Sequence, residues 1–352
     1  MRVGFHTNHL SFRGAEIAVY DYAFHNQAIL QNESLVFYKS KYQSEPTVIQ
    51  KFEKQFKLFP YQDNAQLAKI ADQEKLDLFY FIKSGERDGD VVDTVPCAIH
   101  AVFPTKPEEF HGDKFAFVSE WLAKEYSNQK LPFVPHMIDL PEVDGDLREE
   151  LNISKEATVL ACYGGSDSFN LSFVHETIVK VLDKRKDLLF LFMNIAPFAK
   201  HERLIFLPGN SEMQYKMRFI NTADGMIHAR GIGESFGLAC GEFSIKNKPV
   251  MTYAMSPQRS HIEILGDKAM LYKGRRDLEE MFLSLNRQTQ FEKNWDAYSK
   301  DFSPAAVMHK FNDVFIQDGK ITTIPTLTWW DGVALTRYRF LRKIRNLRKK
   351  LY

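Results

Sequence analysis

Hydrophobic positions along this chain fall into short runs separated by stretches of helical spacing, and the alternation is its most informative feature. Residues 2–6 are apolar and partly β-branched, which predicts a buried strand. A polar loop through Asn8, Ser11 and Gly14 follows, and Ala15, Ile17, Ala18, Tyr20, Tyr22 and Ala23 then predict a helix packed on that strand. The unit repeats. Residues 35–38, 58–59, 76–82 and 97–103 are strand-like, and residues 115–119 followed by 120–127 predict one more strand and helix. Strands alternating with helices predict a mainly parallel sheet covered on both faces.

The pattern stops around Val134-Pro-His-Met-Ile-Asp-Leu-Pro141, where two prolines bracket a short extended piece and an acidic stretch, 142–150, reads as a linker. Alternation then starts afresh, with strands at 158–163, 188–193, 204–207, 225–228, 249–253 and 269–272. Helical patterns at 173–182, 236–245 and 278–285 lie between some of them. The expected fold class is therefore α/β, with two Rossmann-like doubly wound domains, residues 1–135 and 136–315, and a carboxyl-terminal extension, 316–352. Two such domains joined by a hinge enclose a cleft at the carboxyl ends of their strands, where open α/β sheets bind ligands. The extension differs in character. From Arg337 to Lys350 eight cations interleave with Phe340, Ile344, Leu347 and Leu351 at helical spacing, which predicts a basic amphipathic helix. Its expected partner is an anionic membrane surface, through residues 337–351.

Composition narrows this picture modestly. Apolar content of 44 % and charged content of 26 % are ordinary soluble-globular usage, so each domain can build its own core. The formal net charge of +1 gives no global pull toward nucleic acid, and no recognition motif accompanies the basic tail, so nucleic acid is excluded as a partner. Three scattered cysteines, Cys97, Cys162 and Cys240, suit neither a disulfide framework nor a zinc site. With no membrane-spanning run and no signal-like segment at Met1, the expected location is cytoplasmic, peripheral on the membrane through the tail.

The chemistry concentrates in one segment, Ile227-His-Ala-Arg-Gly-Ile-Gly-Glu-Ser-Phe-Gly-Leu-Ala-Cys-Gly-Glu-Phe-Ser244. Phe236, Ala239, Cys240 and Phe243 follow helical spacing, which predicts a helix beginning near Ser235. Gly231, Gly233 and Gly237 keep its entrance clear of side chains, and open amides at a helix amino terminus attract anions such as a diphosphate. Glu234 and Glu242 are eight residues apart, roughly 12 Å along a helix, the scale of a nucleotide sugar from hexose to ribose. Each carboxylate can accept two hydroxyl hydrogen bonds, which suits a diol at either end.

This segment resembles the Glu-x7-Glu signature of retaining GT-B glycosyltransferases, especially glycosyltransferase family 4, and Lys248-Pro249-Val250 stands where that family carries Pro-Val. The resemblance implies a transferase that moves a sugar from a nucleotide diphospho-sugar to an acceptor hydroxyl of a glycan, polysaccharide or glycolipid, with retention. It implies that Glu242 binds the ribose hydroxyls, and that Glu234 with the amides of Phe236, Gly237 and Leu238 faces the donor sugar and its phosphates. Phe12-Arg-Gly-Ala-Glu16 stands in place of the family's glycine-containing first loop, which assigns Gly14 to the phosphate and acceptor side of the amino-terminal domain. His100 stands where many members carry a histidine facing the transferred sugar, and Val134-Pro-His136 resembles the interdomain hinge.

The departure lies after the first strand of the second domain. The family carries Gly-Arg and then Lys-Gly there to hold the diphosphate, whereas this chain has Tyr163-Gly-Gly-Ser-Asp-Ser-Phe169. Either Gly164, Gly165 and Ser166 hold the phosphate through backbone and hydroxyl donors, or another cation substitutes, with Arg230, Lys200 and Arg13 as candidates. No side chain is an obvious nucleophile, and the turns Asp88-Gly-Asp90 and Asp144-Gly-Asp146 read as plain turns, so no metal and no cofactor beyond the donor substrate is expected. His228 reads as structural, and Trp329-Trp330 as packing of the tail. Two competing readings share the architecture: a sugar-nucleotide epimerase, which needs no acceptor, and a nucleotide-sugar-binding protein without turnover.

Overall fold

The computed structural model describes residues 1–11, 14–317, 331–333 and 336. The predicted basic helix at 337–351, Trp329-Trp330 and Arg13 lie outside the described residues. Within them the chain forms two compact units, Met1–Met137 joined by the segment beginning at Phe302, and Ile138–Asp301.

The first unit is built on a parallel sheet of six strands: β1 (Arg2–Thr7), β2 (Glu33–Lys39), β3 (Lys57–Tyr61), β4 (Leu78–Lys83), β5 (Cys97–Ala101) and β6 (Lys114–Phe117), in the order β3-β2-β1-β4-β5-β6. All six residues of β4 are buried, the apolar run Leu-Phe-Tyr-Phe-Ile as expected when helices cover both faces, and Lys83 at its end paired with Asp88. Helices α1 (Gly14–Ala28), α2 (Pro46–Glu53), α3 (Asn64–Gln73) and α4 (Glu120–Ser127) connect or follow the strands. Local chemistry sets their ends. Asp63 caps α3 through the Gln66 amide at 2.8 Å, and Ser119 caps α4 through the Leu122 amide at 3.3 Å. Asn128 ends α4 in the left-handed region at φ 53°.

The second unit repeats the plan with β7 (Thr158–Tyr163), β8 (Leu188–Met193), β9 (Leu204–Leu207), β10 (Gly225–His228), β11 (Gly233–Glu234), β12 (Val250–Tyr253), β13 (Gln258–Arg259) and β14 (Ala269–Tyr272). Its main sheet is parallel in the order β14-β12-β10-β7-β8-β9, while β11 and β13 form a two-stranded parallel ribbon beside it. The helices are α5 (Ser172–Lys184), α6 (Met213–Thr222), α7 (Leu238–Ile245), α8 (Ser260–Leu265), α9 (Arg275–Ser284) and α10 (Arg287–Phe291). Both main sheets share one doubly wound order, the first half of the strands running outward from one centre and the second half outward from the other side of it.

The chain then returns to the first unit. Helix α11 (Pro304–Phe311), capped by Ser303, sets Phe311 against Tyr80 at 5.2 Å, Tyr22 at 5.3 Å and Phe5 at 6.3 Å between ring centroids. The second boundary therefore falls at 301/302 rather than at 315, because the buried face of α11 completes the aromatic core of the first unit. No helix among the described residues is long and apolar enough to cross a membrane.

Candidate functional site

In the second unit the strand order reverses between the neighbours β7 and β10, the switch point beside whose carboxyl ends doubly wound sheets generally bind ligands. The loop after β7 is Gly164-Gly-Ser166 onward, and the loop after β10 carries Arg230. Asn170 ties the two together: its amide donates to the Ala229 carbonyl at 3.0 Å and its Oδ1 accepts from the Gly231 amide at 2.8 Å. Within the first loop, the Ser168 amide donates to the Gly165 carbonyl at 2.8 Å and the Ala196 amide to that of Ser166 at 2.9 Å. The Asn194 side chain holds the Gly164 carbonyl at 2.7 Å. With these carbonyls engaged, Gly165 and Ser166 lie exposed at the carboxyl end of β7.

Both glutamates of the motif follow β10 in the chain, and each is already held by a cation or a ring nitrogen. Glu234 sits on the ribbon strand β11, where His228 Nε2 meets its Oε1 at 3.1 Å and Arg230 Nη1 donates to its Oε2 at 2.8 Å. Burial pushes the Glu234 carboxyl up, but the hydrogen bonds and charges of His228 and Arg230 outweigh it and leave the group below the usual carboxylate range. Behind it runs a buried chain of polar contacts. Because a carboxylate only accepts, His228 Nε2 carries the donor proton; His228 Nδ1 lies 2.8 Å from the Thr252 hydroxyl, and Thr252 Oγ1 lies 2.9 Å from His261 Nε2. Burial, reinforced by His228, holds His261 well below the usual histidine range and so neutral. Glu242, on α7, is 7 % exposed and its Oε1 accepts from Lys216 Nζ on α6 at 2.6 Å.

The helix entrance differs from the expectation. Helix α7 starts at Leu238 rather than near Ser235, because Gly237 adopts φ +96° as its cap and a Cβ there would meet His261 Cβ at 2.8 Å. Residues 234–237 are consequently not helical, so the separation of Glu234 and Glu242 is not that of eight helical residues. Gly233 is likewise obligatory, at φ +79° with the Gln258 carbonyl 2.0 Å from any added Cβ. Phe236 is 2 % exposed and packs edge-on against Tyr298 at 5.9 Å, so only its backbone belongs to the site, while Leu238 is half-buried at the first turn of α7.

The candidates in the first unit fare differently. Gly14 is the exposed first residue of α1. His100, expected to face a sugar, is fully buried instead: its Nε2 donates to the Val134 carbonyl at 2.8 Å and the Tyr80 hydroxyl lies 2.5 Å from its Nδ1. Burial pushes its pKa down to about 3, so it is a neutral core residue with both nitrogens occupied. The Asp88 and Asp90 carboxylates are paired with Lys83 and Lys39. Among the described residues no cluster of metal-ligating side chains occurs. The three thiols are buried; burial raises Cys97 to about 11 and pushes Cys162 and Cys240 further up, with Glu234 adding to the last two.

Sequence reasoning passed over Lys216 and His261, and it read His228 as structural. One signal was available: Lys216 shares the spacing of Phe219, Ile220 and Ala223, all fully buried, and a charge on an apolar stripe asks for a buried partner. Nothing in the sequence names that partner.

No protein-family model and no curated protein matches the sequence. Solved structures do. A crystal structure of Anabaena HepE in complex with UDP and glucose matches with a TM-score of 0.70 at 12 % identity, over 89 % of this chain and 98 % of that one. WaaG, a glycosyltransferase involved in lipopolysaccharide biosynthesis, matches at 0.60 and 13 % identity, over 90 % of this chain and 100 % of that one. MnaA of S. aureus, in a co-structure with UDP, matches at 0.61 and 11 % identity, over 88 % and 96 %. At such low identity the likeness speaks for architecture alone, and it agrees with the two doubly wound sheets: the chain has the GT-B fold.

Proposed function

We propose that the chain is a glycosyltransferase that moves a sugar from a nucleotide diphospho-sugar to an acceptor hydroxyl, with the donor bound by the second unit. The observation that supports this reading is the pair of glutamates held in place after β10, Glu234 by His228 and Arg230 and Glu242 by Lys216. A carboxylate with a fixed rotamer can accept from sugar hydroxyls without first being ordered. Glu242 would take the ribose diol and Glu234 a hydroxyl of the transferred sugar. The first-turn amides of α7, which have no carbonyl partner within the helix, point the positive end of its dipole at the diphosphate. Arg230, 34 % exposed, and the donors of Gly164, Gly165 and Ser166 would supply the remaining phosphate contacts.

In the reaction so proposed the anomeric C–O bond to the diphosphate breaks while the acceptor oxygen bonds to the anomeric carbon on the same face. The acceptor proton passes to the departing phosphate oxygen, so neither a protein nucleophile nor a metal is required. The main work of the protein is electrostatic, stabilising charge on the leaving group and the oxocarbenium-like sugar. His100 takes no part in this scheme.

Calorimetry with UDP and GDP, followed by transfer assays with their sugars, tests the reading; UDP is the first probe because HepE and MnaA are described with it. Binding of a nucleoside diphosphate with donor cleavage supports it, whereas binding without cleavage by any acceptor refutes transfer. Interconversion of donor sugars without acceptor would favour epimerisation, a reading kept because a putative UDP-N-acetylglucosamine 2-epimerase from Listeria monocytogenes shares the fold with a TM-score of 0.58. The acceptor is proposed to be a glycan or a lipid-linked glycan, reached at an anionic membrane through residues 337–351. Flotation with anionic vesicles should be lost when the chain is cut after residue 336, and unchanged flotation would refute the membrane role.

A further inference from the structure

The pair Lys216–Glu242 raises a question of its own, because a buried ion pair is an expensive way to join two helices. Both residues are about nine-tenths buried, and their Nζ–Oε1 distance of 2.6 Å marks a strong charge-assisted bond. Around them the elements are already joined by apolar packing. Tyr163, the last residue of β7, lies against Phe243 of α7 at 5.8 Å and 29° and meets Phe219 of α6 edge-on at 5.8 Å. Replacing a buried ion pair with well-packed apolar groups is commonly neutral or stabilising, so stability alone does not account for the charges. Their position does. Lys216 Nζ stands 5.9 Å from the centroid of the Tyr163 ring, and Tyr163 leads directly into Gly164-Gly-Ser166. The one buried cation among these three elements thus grips the carboxylate of the motif beside the loop that leaves β7.

We propose that Lys216 is a positioning residue that makes the site select ribonucleotides over 2′-deoxyribonucleotides; this rests on the donor-site reading above. By holding Oε1 it fixes the rotamer of Glu242, so that the carboxylate presents a set pair of acceptor directions to the ribose. A site built to receive a hydroxyl rejects the analogue lacking it, because a buried acceptor is then left unmatched. A carboxylate free to turn would instead find water, and the rejection would fade. Lys216 therefore acts through Glu242, and its signature is a ratio of affinities rather than affinity itself.

The experiment measures, by calorimetry, the dissociation constants of UDP and 2′-deoxy-UDP, and of GDP and 2′-deoxy-GDP, on wild type, Lys216→Met, Lys216→Gln and Lys216→Arg. Wild type should favour the ribonucleotide by about tenfold to a hundredfold, the worth of one hydrogen bond to a charged group. Lys216→Met and Lys216→Gln should bring that ratio to within threefold, and Lys216→Arg should restore most of it. Lys216→Gln serves where Lys216→Met does not fold. A lowered melting temperature with an unchanged ratio in the neutral variants makes Lys216 merely structural and overturns the inference alone. Wild type that binds neither ribonucleotide overturns the donor-site reading and this inference together.

Discussion

Glu234→Gln perturbs the site with almost no change of shape. The wild-type carboxylate accepts on both oxygens, from His228 at 3.1 Å and from Arg230 at 2.8 Å. An amide has one oxygen, so one of those donors must face an NH2 group instead. A hydrogen bond to a charged group is worth about 1.5–3 kcal/mol. Arg230 is 34 % exposed and can rehydrate, whereas His228 at 5 % cannot, which discounts the loss to about 1–2 kcal/mol. The effect on turnover should be larger, about a hundredfold in kcat, because the interaction is made to charge that develops in the transition state. Nucleotide affinity should change less than threefold. Acid adds a second readout. A carboxyl held below its ordinary value stabilises the fold above the unfolded-chain value of about 4.3, and loses that contribution as pH falls through the folded value. The melting-temperature gap between wild type and Glu234→Gln should therefore be full at neutral pH and close below about pH 4. Turnover within threefold of wild type, or a gap that widens in acid, would refute the account.

Two other variants test parts of the fold that bear on function. His100→Phe leaves the Tyr80 hydroxyl and the Val134 carbonyl unpaired in the core and should destabilise by about 2–4 kcal/mol. Per folded molecule its kcat should stay within threefold, and a tenfold fall would return His100 to the chemistry. Phe311→Ala removes a ring that touches Phe5, Tyr22 and Tyr80 and should cost about 3–5 kcal/mol by thermal or chemical denaturation. A cost below about 1 kcal/mol would show that the first unit does not depend on α11.

What the sequence determined by itself was the architecture, and it singled out the two glutamates on which the proposed donor site rests. Strand β8 and the first five residues of β4 are unbroken apolar runs, the usual form of a strand buried on both faces. The acidic pair was legible because glycines, an apolar helical stripe and the carboxylates are local in the chain. Tertiary structure alone decided everything that depends on contacts between distant segments. Lys216 reaches Glu242 across 26 residues and α11 reaches Phe5 across some three hundred, and no local spacing encodes either meeting. His100 was misplaced for the same reason: its strand was evident, but the Tyr80 hydroxyl and Val134 carbonyl that occupy its ring are brought there by the packing of the sheet. The late start of α7 follows from Gly237 lying against His261, a contact 24 residues away. Periodicity reports which face of an element is apolar. Only the packed fold reports which charged group waits on that face, and for which partner.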